Sequence, residues 1–265
     1  MSWRAVHGRD VRLAARDFGG EGTGALLLHG LAGTAAEWAD TAAWLSRSHR
    51  VVALDQRGHG RSESRPTDVT PQTFAGDALG TIEEFGLAPS LLVGQSLGGL
   101  VAFLAASERP ELVRALVVVE ATPAEEDPTL PAQIGAYFSS WPVPFASHEA
   151  AVEFFGGDSL RARAWAGNLV EEADGLRPAF DVDVLIATMS AAVARDYWDE
   201  WRALRVPTLL VRGELGEVGR AAAEQMSAAN PCVETVAVPG AGHDVHLDAP
   251  EAWRAAVESF LSRLS

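Results

Sequence analysis

The chain has 265 residues, with 21 basic and 36 acidic side chains, a formal net charge of −15 and one cysteine. The length predicts one large domain or a domain with a sizeable insertion, and 48% hydrophobic with 22% charged residues predict a folded globular protein. The acidic balance argues against binding to nucleic acid or an anionic membrane, because clustered lysine and arginine hold such polyanions and lysine is absent.

The single cysteine, Cys232, leaves no internal disulfide and no cysteine-rich metal site, which is typical of a reducing compartment. It follows Pro231 at the start of an apolar run, a context that favours a small buried residue over a nucleophile. The first residues lack the apolar core of a signal peptide, and no apolar run is long enough to span a bilayer. The sequence therefore predicts a cytoplasmic protein.

Short apolar runs alternate with amphipathic stretches through the first half of the chain, a pattern typical of a parallel sheet covered by helices. Before these runs, Val11, Leu13 and Ala15 alternate with other side chains and predict an antiparallel strand at the sheet edge. The predicted strands and helices follow in the order 25–28, 35–46, 51–54, 71–85, 91–93, 96–107 and 116–119.

The pattern changes at Ala121, where a cluster of prolines breaks the chain into turns. Aromatic-rich helical stretches then continue to about Leu204, with no strand predicted. The alternation resumes with strands and helices at 208–211, 220–229, 233–238 and 250–264. The sequence therefore predicts a core formed by residues 1–120 and 205–265, interrupted by a helical insertion, 121–204, which is the candidate second domain.

Ser96 lies in the motif Gly-Gln-Ser-Leu-Gly at 94–98, between a predicted strand that ends at Val93 and a predicted helix that begins at the serine. This is the context of a nucleophile elbow, in which glycines flank a turn so sharp that neighbouring Cβ atoms would clash. The turn lifts the serine hydroxyl above the sheet, with a helix N-terminus beneath it that favours negative charge. The motif predicts Ser96 as a nucleophile.

A serine nucleophile needs a base, and His243 lies on a glycine-flanked loop after the predicted strand that ends at Val238. It also follows Ser96 in chain order, as hydrolases with this elbow require. A metal site formed by His243, Asp244 and His246 is disfavoured, because three close side chains without a second cluster coordinate a metal poorly. We therefore expect His243 to act as the base and no metal to be bound.

The turn after the first buried strand reads His-Gly-Leu at 29–31. Gly30 leaves the backbone free to direct the N–H of Leu31 toward a carbonyl oxygen, and the N–H of Leu97 lies beside the nucleophile. By itself the turn could be an ordinary end of a strand. Together with Ser96 and His243, the two amides predict an oxyanion hole.

With these motifs, the sequence resembles a serine-dependent α/β-hydrolase of the capped, single-domain type. The matching segments stand in the family's order and cover the chain except the insertion: 28–30, 55–62, 94–99, 207–213 and 242–251. The resemblance implies an α/β-hydrolase fold with a mostly parallel central sheet, a helical cap over Ser96 and no cofactor. It also implies that the run at 55–62 is a structural turn, in which Arg57 and His59 brace the loop.

Two carboxylates are candidates for the acid that orients His243. Family members usually have an aspartate after the strand that ends here at Val211, but this loop reads Gly-Glu-Leu-Gly-Glu at 213–217. Glu217 is the first choice, because a carboxylate one methylene longer can still accept the histidine N–H. Glu120, which closes the preceding strand of the sheet, is the alternative.

These residues predict acyl transfer to water: Ser96 attacks a carbonyl, His243 takes its proton, and water cleaves the acyl-enzyme. The candidate substrate contacts are Tyr137, Phe138 and Trp141, early in the aromatic-rich insertion. Because no basic cluster marks a carboxylate or phosphate site, the predicted substrate is a small or medium, largely apolar ester or lactone.

Other activities stay open on the sequence alone. The same constellation serves C–C bond hydrolysis, amide hydrolysis and cofactor-free perhydrolysis in related families, and a ligand sensor with a hydrolase fold would retain it. A dehydrogenase is excluded, because no Gly-x-Gly-x-x-Gly motif follows the first strand. The expected partner is a small-molecule substrate, and the sequence does not indicate an oligomeric state.

Overall fold

The computed structural model describes residues 2–8, 10–125 and 127–264. Its strands are β1 Ser2–His7, β2 Arg12–Gly19, β3 Thr23–Leu28, β4 His49–Asp55, β5 Ser90–Gln95, β6 Val113–Val119, β7 Leu169–Glu172, β8 Gly175–Pro178, β9 Thr208–Gly213 and β10 Val233–Val238. Eight of them form one sheet in the order β1-β2-β4-β3-β5-β6-β9-β10. The pairs from β4 to β10 are parallel, whereas β1 and β2 add on antiparallel, so the predicted architecture is confirmed.

The prediction that the antiparallel strand at 11–15 lies at the edge of the sheet was wrong. The predicted strand is β2, but it lies inside the sheet, between β4 and β1. β1 forms the edge, and all of its residues except Val6 are exposed. Without a buried face, β1 has no apolar alternation in its sequence that could have predicted it.

Helices cover both faces of the sheet. Their bounds are α1 Ala39–Leu45, α2 Pro71–Phe85, α3 Leu97–Glu108, α4 Leu130–Ser139, α5 His148–Phe154, α6 Leu160–Gly167, α7 Val182–Ala192, α8 Trp198–Ala203, α9 Arg220–Ala229, α10 Val245–Asp248 and α11 Pro250–Ser262. Short 3₁₀ helices occur at Ala35–Trp38 and Pro110–Leu112. Among the helices described, none is both long enough and apolar enough to cross a membrane.

The strands of the sheet centre are apolar on both faces because each face has its own core. In β3, Leu26 and Leu28 face the core formed with α2 and α3. Ala25 and Leu27 face the opposite core, which includes Trp38 and residues of α11. The parallel direction of the strands, in turn, brings the loops that follow β3, β5, β6, β9 and β10 to one edge of the sheet.

The segment between β6 and β9 contains α4 to α8 and also an antiparallel hairpin, β7–β8. The hairpin corrects the prediction that this segment is purely helical. Its strands have four residues each and are exposed or half-buried, so they are too short and too polar to show a strand pattern. The division of the chain at 120/121 and 204/205 stays a prediction. Trp201 of α8 lies in the segment 121–204 and packs edge-to-face on Phe103 of α3. Both rings belong to the hydrophobic core between the sheet and α2 and α3.

Candidate active site

Ser96 occupies a sharp turn between β5 and α3. Its φ of 52° is rare for a residue with a side chain, and its N–H donates to the carbonyl of Val119 at 2.8 Å. A Cβ at Gly94 would lie 2.0 Å from the Gly98 carbonyl oxygen, and one at Gly98 would lie 2.3 Å from the Leu28 carbonyl oxygen. Only glycine fits at these two positions, so the spacing of the motif follows from the close approach of strand, turn and helix.

Ser96 lines a cavity of about 410 Å³ at the edge where the parallel strands end. The structure brings the predicted chemical groups together there, because the lining includes Leu31, Leu97, Glu120, Glu217 and His243. Each follows a different strand or strand–helix turn of the sheet, which is the usual way in which open α/β sheets assemble a site.

The two predicted oxyanion donors face no competing acceptor. Within residues 2–8, 10–125 and 127–264, no hydrogen-bond acceptor contacts the N–H of Leu31 or the N–H of Leu97. The turn that carries Leu31 also passes close to the nucleophile, since a Cβ at Gly30 would lie 3.3 Å from Cβ of Ser96 and 2.1 Å from Oε1 of Gln95. A larger residue at position 30 would have to displace the side-chain amide of Gln95, and both backbone amides remain available to a ligand.

His243 contacts both candidate acids. Its Nδ1 lies 3.5 Å from Oε2 of Glu120 and 3.4 Å from Oε2 of Glu217. The side-chain amide of Gln95 donates to the His243 carbonyl at 3.2 Å, which ties the backbone of this loop to β5. Burial lowers the pKa of His243, but the carboxylates of Glu120, Glu217 and Asp244 outweigh burial, so the pKa is raised above its ordinary value.

The two acids lie in opposite environments. The side chain of Glu120 is 0% exposed, whereas that of Glu217 is 78% exposed. Oε1 of Glu120 accepts the N–H of Gly213 at 2.8 Å, and its Oε2 accepts the N–H groups of Glu217 at 2.6 Å and Val218 at 3.1 Å. Burial raises the pKa of Glu120, but His243 and these three amides lower it further, so the pKa lies below its ordinary value.

The Glu120 carboxylate occupies the space beside Gly216. A Cβ at Gly216 would lie 2.3 Å from Oε1 of Glu120, so a side chain at position 216 would displace this carboxylate. Glu120 reaches this place with a φ of 48°, a second rare backbone conformation at the cavity.

The insertion contributes apolar walls, but not all of the predicted contacts. Tyr137 and Phe138 line the cavity, whereas Trp141 is absent from its lining and is only 5% exposed. Trp141 follows the end of α4 and points into an aromatic cluster, where its nearest ring is Phe155, with centroids 4.9 Å apart. Trp141 therefore does not line this cavity, because its side chain packs the insertion itself.

Several apolar residues of the cavity wall were not among the predicted substrate contacts. They are Leu130, Ile134, Trp165, Met189, Val193 and Tyr197. Leu130, Ile134 and Tyr137 recur at the spacing of one helix face, which is the signal that could have identified the α4 wall. Met189 and Val193 lie four residues apart at the end of α7, a spacing that also indicates one helix face, whereas Trp165 is the one α6 residue in the described lining.

Apart from His243, the ionisable side chains that line the cavity in the described part of the chain are carboxylates and two tyrosines, Tyr137 and Tyr197. No arginine is found among the lining residues of the described chain, while five carboxylates are: Glu37, Glu120, Glu125, Glu217 and Asp244. Such a lining disfavours anionic ligands through like-charge repulsion. The described residues also contain no group of three or more His, Cys, Asp or Glu side chains arranged to hold a metal ion.

Comparisons with known proteins identify the family of the fold. The profile of the family described as alpha/beta hydrolase fold matches residues 26–250. The chain is 31% identical to a 2-(acetamidomethylene)succinate hydrolase of Mesorhizobium japonicum, over 91% of this chain and 89% of the relative. It is 30% identical to the sn-1-specific diacylglycerol lipase ABHD11 of Mus musculus, over 89% of this chain and 80% of the relative.

Among solved structures, an E-2-(acetamidomethylene)succinate hydrolase superimposes with a TM-score of 0.89 at 28% identity, over 98% of this chain and 99% of that one. The matching profile covers most of the chain, and the relatives named here are hydrolases. The chain therefore belongs to the α/β-hydrolase fold family and is a hydrolase.

Proposed function

We propose that this hydrolase cleaves neutral, largely apolar carboxylic esters or lactones through an acyl-enzyme on Ser96. The observation that carries the proposal is a single cavity that gathers a serine on a strained turn, His243 with buried Glu120, and the free amides of Leu31 and Leu97. A nucleophile, a base and oxyanion donors in one site are the requirements of acyl transfer.

In the proposed reaction, Oγ of Ser96 forms a bond to the substrate carbonyl carbon while His243 takes the hydroxyl proton. The carbonyl oxygen becomes an oxyanion that accepts the N–H groups of Leu31 and Leu97. The intermediate collapses, the bond to the alcohol breaks, and the alcohol leaves with the proton held by His243. Water then adds to the acyl-enzyme by the same steps and releases the carboxylic acid and free Ser96.

We propose Glu120, rather than Glu217, as the principal acid that orients His243. Its carboxylate is fully buried and fixed by three backbone N–H groups, whereas Glu217 is mostly in water. A buried, fixed carboxylate stabilises an imidazolium more strongly than a solvated one, because water screens the latter. Glu217 acts as a second, weaker contact of Nδ1.

The substrate class follows from the charges of the lining. The relative in Mesorhizobium japonicum is named for a succinate derivative, and the succinate group is a dicarboxylate at neutral pH. The cavity of this chain presents carboxylates and no arginine among the described residues. A carboxylate in the substrate would find no cation there, so neutral esters are favoured over that compound.

Hydrolysis of an amide-type bond is the second candidate. It is favoured by the 31% identity to a relative whose printed name contains an acetamido group, over 91% of this chain. The groups that would cleave an amide are the same, so the two candidates differ in the leaving group that His243 must protonate.

We propose that residues 121–204 act as a cap over the serine. Side chains of α4, α6 and α7 line the cavity opposite the strand ends. The cap is tied to the base loop where Trp165 Nε1 donates to Asp244 Oδ2 at 2.9 Å. Such a cover excludes water from the carbonyl while the acyl-enzyme forms.

The proposal is tested by labelling and turnover together. A fluorophosphonate is expected to form one covalent adduct, at Ser96, and p-nitrophenyl butyrate is expected to be hydrolysed over many turnovers. The matched control, Ser96→Ala, should lose both while retaining its melting temperature. A label that survives in Ser96→Ala, or no label on the native protein, would contradict the assignment of the nucleophile.

The substrate class has its own test. We expect a neutral ester to be hydrolysed faster than the matched ester whose acyl chain ends in a carboxylate, by on the order of 10²-fold, because that carboxylate would lose its hydration without gaining a partner. The (acetamidomethylene)succinate named for the relative should be turned over slowly or not at all. Equal rates for the neutral and carboxylated esters would overturn the proposed class.

A further inference from the structure

Two buried ionisable side chains, Glu37 and His246, meet beside the cavity and take no part in the proposed acyl transfer. Oε1 of Glu37 lies 3.5 Å from Nε2 of His246, with side-chain exposures of 8% and 1%. Within the described residues, neither ring nitrogen of His246 has a hydrogen-bond partner. Burial of such polar groups is costly unless they are paired, so each stabilises the other where it is.

Glu37 supports the backbone that precedes it. Its Oε2 accepts the N–H of Thr34 at 3.4 Å, while the Thr34 side chain caps the 3₁₀ helix Ala35–Trp38, a reciprocal capping box. A Cβ at Gly33 would lie 2.4 Å from the same oxygen. The carboxylate of Glu37 therefore packs directly against the backbone of Gly33.

Gly33 closes the turn that carries an oxyanion donor. Its N–H donates to the carbonyl of Gly30 at 3.1 Å, which leaves Leu31 and Ala32 at the centre of the turn. Ala32 has a φ of 65°, which is unfavourable for a residue with a side chain. Such a conformation persists only where the surrounding structure holds it, and the Glu37 carboxylate is part of that surrounding.

His246 links the same support to the base. It lies in α10, three residues after His243, and its ring stacks on Trp38 with centroids 4.2 Å apart. Burial raises the pKa of Glu37, and the contact with His246 opposes this effect. The two groups thus join the loop of the oxyanion donor to the loop of the base through one buried contact.

We propose that Glu37 and His246 are positioning residues that fix the N–H of Leu31 relative to His243. The inference rests on the proposed function, because it concerns the oxyanion formed on the substrate of Ser96. Neither residue touches the reacting atoms. They hold the N–H of Leu31 at a position that suits the oxyanion better than it suits the carbonyl oxygen of the unreacted substrate.

The test is Glu37→Gln, measured with an ester and with a trifluoromethyl ketone, which adds reversibly to the serine and leaves its oxyanion in the hole. The amide keeps the shape of the side chain and can still accept the N–H of Thr34, but it loses the carboxylate that faces His246. We expect kcat/KM to fall and the inhibition constant to rise by the same factor, about 10-fold, because a misplaced donor weakens only the oxyanion.

Asp77→Asn is the matched control. Asp77 forms a buried pair with Arg57, at 2.7 and 2.8 Å, with both side chains 2% exposed, and neither lines the cavity. Breaking either pair lowers the melting temperature. The concentration of active sites is titrated first, so that a loss of folded enzyme does not count as weaker inhibition. Of the two variants, only Glu37→Gln should then change the inhibition constant, because a residue that only stabilises the fold would leave this constant unchanged.

His246→Gln makes the same test from the other loop and replaces Glu37→Gln if that variant does not fold. An unchanged inhibition constant in these variants would overturn the positioning role, as would a change equal to that in Asp77→Asn. Failure of the proposed function is seen separately, because the native protein would then take no fluorophosphonate label at Ser96.

Discussion

The two sides of the cavity are held in place by different forces. The floor, formed by the loops that follow β3, β5, β6, β9 and β10, is fixed by backbone hydrogen bonds, such as the N–H of Glu120 to the carbonyl of Val211 at 3.0 Å. The roof, formed by lining residues of α4, α6 and α7, is fixed mainly by side-chain packing around Trp141. Directional bonds place atoms more narrowly than apolar contacts, so we assign the chemistry to the floor and the choice of substrate to the roof.

The largest effect is expected from the floor. Glu120→Gln should lower kcat/KM for p-nitrophenyl butyrate by on the order of 10²-fold or more, since the imidazolium of His243 loses its fixed carboxylate. The new NH₂ group would also meet backbone N–H donors, at a cost of about 1–3 kcal/mol in the free energy of unfolding. Steady-state kinetics and denaturant unfolding measure both.

Glu217→Gln is the matched control for this substitution, since the two side chains approach the same nitrogen from opposite environments. At pH 8 it should retain most of the native rate. A larger loss in Glu217→Gln than in Glu120→Gln would reverse the assignment of the principal acid.

A roof substitution should change selectivity without removing activity. Ile134→Ala removes three carbon atoms from the α4 wall and leaves space that a longer acyl chain can fill. The kcat/KM of a long-chain ester, divided by that of a short-chain ester, should therefore rise by about 10-fold. A series of p-nitrophenyl esters measures the ratio. Leu215→Ala is the control, because that side chain is exposed and does not line the cavity. An unchanged ratio would remove α4 from the acyl pocket.

The contact between roof and floor should have an intermediate effect. Trp165→Phe keeps an aromatic wall but deletes the 2.9 Å hydrogen bond to Asp244. Because such a bond is worth about 1 kcal/mol, we expect KM to rise about fivefold while kcat stays unchanged. Trp3→Phe, on the edge strand β1, is the control. If kcat fell and KM did not change, the bond would serve the base and not the cover.

The smallest effect is a change in pH dependence. His243, the proposed base, must be neutral to accept a proton, so the rate should fall as the pH drops through its pKa, which lies above the ordinary 6.5. Glu217→Gln removes a carboxylate that raises this pKa, and the acid limb should move to lower pH, by about 0.5 units, because a solvated charge acts weakly. A pH profile of kcat/KM measures the shift. If the acid limb of the profile stayed in place or moved to higher pH, Glu217 would not interact with His243 as the structure indicates.

The groups that we propose for the chemistry of the floor can be found in the sequence because most of them depend on a local turn. Ser96 and Leu97 stand in a glycine-spaced motif, and Leu31 follows Gly30, so the constraint on the backbone is visible as glycine. The choice between the acids is not local, because it depends on how the loop at 213–218 closes around Glu120. The one hint is Gly216, which leaves space for that carboxylate.

The side-chain positions of the roof are harder to predict from the sequence, because they also depend on contacts between residues that are distant in the chain. Trp141 lies just after the end of α4, where no helical period fixes the direction of a side chain, and its position is decided by rings that are distant in sequence, such as Trp165. The hairpin β7–β8 and the edge strand β1 also escaped prediction, because exposed strands have no buried face to leave an alternation.

The hydrogen bond from Gln95 to the carbonyl of His243 joins two points 148 residues apart in the chain. The serine and the histidine proposed to act together therefore lie far apart in the sequence, and His243 can approach Ser96 only after β9 and β10 have joined the sheet. A chain cut before β9 would keep the glycine-spaced turn of Ser96 but would lack both the proposed base and the loop at 213–218 whose amides hold Glu120.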